Sequence, residues 1–142
     1  MLVLRLALAG ALLAANAAIG QTMPKILVHI THGPEAPTRA ALAFLVARTA
    51  AEEGHKVSIF LAGDAVNLLK PDSLETISGV GTGKLREHYD ALVKSGVRFY
   101  LSGMSAKARG LGDELIANKP AEFAMPKVLL KLSLDHDRMF TY

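Results

Sequence analysis

Val97-Arg-Phe-Tyr-Leu-Ser-Gly-Met-Ser-Ala-Lys-Ala-Arg-Gly-Leu111 decides the fold class of this chain. Val97 to Leu101 is a short run of apolar and aromatic residues that follows Ser95-Gly96, the pattern of a buried strand. Ser102-Gly103 turns the chain. Ser105 to Leu111 opens a helix expected to run beyond Gly112 towards Ala117, where Asn118-Lys119-Pro120 breaks it. A strand, a small-residue turn and a helix in direct succession form the repeating unit of a parallel α/β sheet.

Two earlier runs repeat the pattern. Lys25-Ile-Leu-Val-His-Ile-Thr31 is a compact apolar segment that suits a central parallel strand. His32 to Thr38 is a loop with two prolines and a glycine, and Thr38 or a neighbour is placed to cap the helix expected over Arg39–Glu53, which Gly54 ends. Lys56 to Leu61 reads as the second strand, with Ala62-Gly63-Asp64 as its turn and Ala65–Leu69 as a short helical turn. Pro71 to Gly83 reads as a polar surface excursion. Lys84 to Lys94 is an amphipathic helix with Leu85, Tyr89, Leu92 and Val93 on one side. A further short helix is expected around Pro126–Leu132, and Arg138 to Tyr142 as a last strand. The fold class is therefore α/β: one domain over about 25–142, an open, mostly parallel sheet of about five strands with helices on both faces.

The 142 residues suit one domain of ordinary size. A formal net charge of +3, with Lys and Arg dispersed and few aromatic residues, argues against a nucleic-acid surface. The absence of cysteine excludes disulfides, thiolate metal sites and thiol or persulfide chemistry on this chain.

The first 20 residues read as a signal peptide. Arg5 supplies the positive charge, Leu6 to Gly20 is uncharged and rich in Ala and Leu, and Ala15-Asn16-Ala17 offers a small-x-small cleavage site. The apolar run is short for a stable membrane span. The reading implies a periplasmic or secreted protein; a start at Met23 would instead give a cytoplasmic one.

In an open parallel sheet, ligands bind beyond the C-terminal ends of the strands. The three strand ends supply the candidate binding residues: Thr31, His32, Gly33 and Glu35 from the first, Asp64 from the second, and Ser102, Gly103, Ser105 and Arg109 from the third. Ser105 is placed to cap the following helix, and Arg109, one turn on, could hold a carboxylate, sulfate or phosphate. A Ser–His–acid set can be written from Ser102, His32 and Glu35 or Asp64, but the chain lacks a Gly-x-Ser-x-Gly elbow. His29, within the first strand, reads as a hydrogen-bonded core or interface histidine. The histidine spacings match no zinc motif, and His136 between Asp135 and Asp137 makes a poor chelate. Gly79-Val-Gly-Thr-Gly-Lys84 fails the nucleotide-loop pattern at Ser78 and Leu85, so it reads as a flexible loop able to cover the pocket. No cofactor and no metal is implied.

Lys25-Ile-Leu-Val-His-Ile-Thr-His-Gly-Pro-Glu35, Gly54-His-Lys-Val-Ser-Ile-Phe-Leu-Ala-Gly-Asp64, the Gly96–Leu111 stretch and Asp137-Arg-Met-Phe-Thr-Tyr142, in this order and spacing, resemble the DsrE-like family, including its YchN-like members. The resemblance implies a small α/β subunit assembling into homo-oligomers, often trimers or hexamers, and a link to sulfur relay. Members that relay sulfur carry it as a persulfide on a cysteine in the loop after the third strand. Ser102 and Ser105 occupy the matching loop here, so a non-thiol accessory or anion-binding subunit is expected rather than a sulfurtransferase. The rival readings are a small-molecule enzyme using His32, Glu35, Asp64 and Ser102, and a structural partner of a cysteine-bearing sulfur-relay paralogue.

Overall fold

The computed structural model describes residues 22–142; the signal-peptide reading falls outside the described residues. Five parallel strands form the main sheet: β1 (Ile26–Ile30), β2 (Val57–Leu61), β5 (Arg98–Ser102), β6 (Ala121–Ala124) and β7 (Arg138–Thr141), in the order β6-β5-β2-β1-β7. Between β2 and β5 lies a two-residue antiparallel ribbon, β3 (Ser78–Gly79) and β4 (Gly83–Lys84). The helices are α1 (Pro37–Glu52), α2 (Pro71–Thr76), α3 (Leu85–Lys94), α4 (Gly103–Ala108) and α5 (Pro126–Asp135).

Strand alternation sends Ile26, Val28 and Ile30 to one face, with Val57, Ile59, Leu61, Phe99 and Leu101 beside them. Phe44 of α1 and Tyr89 and Leu92 of α3 close that face into the main core. The Phe99 ring packs against Phe44 at 6.0 Å and Tyr89 at 5.4 Å between centroids, separations typical of aromatic pairs that add stability beyond area burial. The opposite face is thinner. Leu27, Phe60 and Ala124 meet Val128, Leu129 and Leu132 of α5, a helix with no fully buried residue.

The structure departs from the sequence reading in four places. The helix after β5 stops at Ala108, because Gly110 turns the backbone at φ +67; a 3-10 turn over Asp113–Leu115 follows instead of further α-helix. Ala121–Ala124, which the sequence reading assigns to no element, is an edge strand. The Pro71–Gly83 excursion contains α2, whose Leu74 enters the core, since proline in a first helical turn does not break the helix. Thr38 is not the cap of α1, which begins after Ala36 without a side-chain cap; Thr38 instead accepts a hydrogen bond from Val80 N (3.0 Å) and anchors the Gly79–Lys84 loop.

Candidate functional site

The C-terminal ends of β1, β2 and β5 carry the rim residues expected from the sequence. Gly33 packs directly under the second strand's loop: a Cβ there would collide with the Asp64 carbonyl. Its own N–H donates to Glu35 Oε1 (2.8 Å), which folds the first loop back on itself. Glu35 is thereby a loop-shaping residue.

The helix cap expected at Ser105 is supplied by Ser102 instead. Ser102 is the cap of α4, its Oγ accepting from Ser105 N (3.2 Å). Ser105 Oγ accepts from Gly63 N (2.9 Å), joining the β5 loop to the β2 loop. Both hydroxyl oxygens thus serve backbone amides, and neither hydroxyl proton has an acceptor among the described residues. At Gly103 a Cβ would meet Ala124 O and Phe123 Cβ at 3.8 Å, ordinary contact distances.

Arg109 already holds a carboxylate, that of Asp64. Its Nε and Nη2 donate to Asp64 Oδ1 (3.1 and 2.7 Å), and its Nη1 donates to Ser105 O (3.1 Å). The expected external anion is replaced by an intramolecular one, since β2 and β5 are neighbours and bring the two loops together. Both side chains remain partly solvated, so the pair contributes little net stability and serves mainly to fix the loop.

A second group of polar side chains lies towards β7. Arg39 Nη1 donates to His32 Nε2 (2.8 Å), which places the His32 proton on Nδ1. Nδ1 lies 3.4 Å from Thr31 Oγ1, whose own proton goes to Tyr142 O (2.9 Å). Arg39 and Tyr142 also line an open, largely apolar groove of about 550 Å³ with Ala36, Pro37, Thr38 and Leu42. Strands β2, β5 and β6 extend the sheet on one side of β1, and β7 returns to the other. The groove therefore sits at the topological switch point, where open α/β sheets place ligands. Sequence reasoning missed Arg39 and Tyr142; a basic residue at the start of the helix after a rim histidine was the available signal.

Among the described residues, no hydrogen bond joins Ser102 to His32, Glu35 or Asp64, so these residues do not form a Ser–His–acid relay in this structure. His29 lies on the Phe60 side of the sheet, away from Val28 and Ile30, with its ring edge-on to Phe60 at 6.1 Å. The expectation of a hydrogen-bonded histidine fails at Nε2, which is buried without a partner, and burial lowers its pKa.

A parallel, two-faced α/β domain with a serine-bearing turn at its rim defines the class. The chain belongs to the DsrE/DsrF-like family, whose model matches residues 24–142. The structure of the YchN protein from E. coli is similar, at 18% identity and TM-score 0.67, covering 84% of this chain and 100% of that one. BT1422, a conserved protein of unknown function from Bacteroides thetaiotaomicron, is similar at 12% identity and TM-score 0.61, covering 83% of this chain and 95% of that one. No curated protein matches the chain.

Proposed function

We propose that this chain is a non-thiol subunit of the DsrE type that binds a small oxyanion at the rim beside Ser102 and Ser105. One observation carries the reading: both serine oxygens are occupied as acceptors, which leaves two O–H donors without an acceptor among the described residues. Paired hydroxyl donors suit an oxygen-rich anion. The family's link to sulfur makes sulfite, sulfate or thiosulfate the first compounds to test. Without a cysteine the chain can bind such a species but cannot carry sulfur as a persulfide.

The proposal includes self-association. Leu130 and Leu134 of α5 and Met139 of β7, on one side of the sheet, and Phe140 on the other, are exposed large apolar side chains better suited to a neighbouring subunit than to water. A cysteine-bearing paralogue is the alternative partner. Export through the leader is part of the same reading, and N-terminal sequencing of the native protein tests it.

The deciding experiment titrates the full chain with sulfite, sulfate and thiosulfate while amide shifts are followed. Saturable shifts at Gly63 and Ser105, lost in Ser102→Ala and Ser105→Ala, support the proposal. Shifts that persist in both variants, or none at all, reject it. Native mass spectrometry tests the assembly, and a strictly monomeric protein would count against that part.

A further inference from the structure

The opposite, N-terminal edge of the sheet holds a group of side chains with no part in the rim. Ser58 is the one polar residue in β2 and is only 7% exposed. Its Oγ lies 3.1 Å from Nε2 of His136, at the end of α5, and His136 Nδ1 lies 2.6 Å from Leu132 O. A carbonyl can only accept, so Nδ1 carries the imidazole proton and Ser58 donates to Nε2. The pair forms the floor of a cavity of about 410 Å³, also lined by Lys25, Lys56, Tyr100 and Asp135. Lys25 and Lys56 make no ion pair among the described residues, while nearby Arg98 is taken by Glu122 at 2.9 Å.

A second cavity, of about 280 Å³, shares Lys56, Ser58 and Tyr100 with the first and adds Ala51, Val57 and Val97 to its walls. The shared residues make the two cavities adjoining parts of one groove across the starts of β2 and β5. The first part is cationic and hydroxyl-rich, with Tyr100 and Leu132 as its apolar wall; the second is lined by His55, Ser95 and Arg98 as well as by apolar residues. Asp135 lines the same cavity and Asp137 accepts from the Lys25 backbone N (2.7 Å), so two carboxylates accompany the two lysines and a highly charged ligand is disfavoured.

We infer that this groove is a second ligand site, specific for a small organic anion. The anionic head lies between Lys25 and Lys56 above the Ser58–His136 pair, and the apolar body lies against Tyr100 and Leu132, which share the α5 face of the sheet. The arrangement matches the usual build of small-molecule sites, in which a few placed polar groups orient a ligand held by apolar walls.

The test uses the full chain with benzoate and phenyl phosphate as probes and benzyl alcohol as the neutral control, followed by amide shifts and titration calorimetry. The anions are expected to give saturable shifts at Ser58, Tyr100 and His136, and benzyl alcohol none. The double variant Lys25→Gln/Lys56→Gln, altered only at exposed positions, is expected to weaken binding by about tenfold or more. Ser105→Ala, at the far rim, is expected to leave this affinity unchanged, so the two sites succeed or fail separately. Equal affinity in the double lysine variant, shifts confined to Gly63 and Ser105, or no saturable shift overturns the inference.

Discussion

At Gly33 the absence of a side chain sets the spacing of the rim. Any Cβ would run into the Asp64 backbone, which cannot move without shifting the Asp64–Arg109 pair. Gly33→Ala is therefore expected to cost about 1–3 kcal/mol in urea unfolding, the usual range for overpacking; an unchanged midpoint would show that the two loops are free to separate. The two serines should differ in kind. Ser102→Ala removes a cap and is expected to cost about 1 kcal/mol. Ser105→Ala leaves Gly63 N without its acceptor across two loops and is expected to cost about 1–3 kcal/mol, so only this second variant should also broaden amide signals in the Gly63–Asp64 loop. Residue types alone cannot reveal these partnerships. Ser105 was legible as a residue at a helix start, but Gly63 is its partner only because β2 and β5 are neighbours.

Among the elements, α5 is the weakest-held helix. Its contacts come from Val128, Leu129 and Leu132, none fully buried, whereas α1 contributes six buried residues to the core. Native-state hydrogen exchange should find α5 amides opening well below the global unfolding free energy, with β2 amides opening only globally. Equal protection in both would contradict this order. The same difference in burial explains which elements the sequence revealed. β1, β2 and β5 are apolar runs bounded by turn residues and stand out at once. β6, with the sequence Ala-Glu-Phe-Ala, is short, carries residues of weak strand preference and lies at an edge, so its identity comes from pairing with β5. α2 was obscured because its Pro71 looks like a breaker until it is seen at the start of the helix.

For the molecule as a whole, His29 adds a pH term to stability. Burial holds its imidazole below the ordinary value of 6.5. As pH falls through about 6.5, the unfolded chain takes up a proton that the folded chain resists. The unfolded state then binds more protons, so this contribution favours folding above that pH and is lost on acidification, down to the lowered folded-state pKa. Urea midpoints measured between about pH 5.5 and 7.5 should rise with pH in the wild type. His29→Leu, which keeps an apolar neighbour for Phe60, should flatten the rise; an unaltered slope would assign it to other groups.

The strand order also governs how the molecule can be made. β1 is the first of the described strands to be synthesised and β7 the last, yet they are neighbours in the sheet. During translation, at about 5–20 residues per second, β1 can pair with β2 while its other edge waits for β7. A nascent chain thus presents one unpaired backbone edge throughout most of its synthesis. On a crowded polysome, a β7 from a neighbouring chain could reach that edge first, which makes strand exchange between nascent chains the characteristic hazard of this topology.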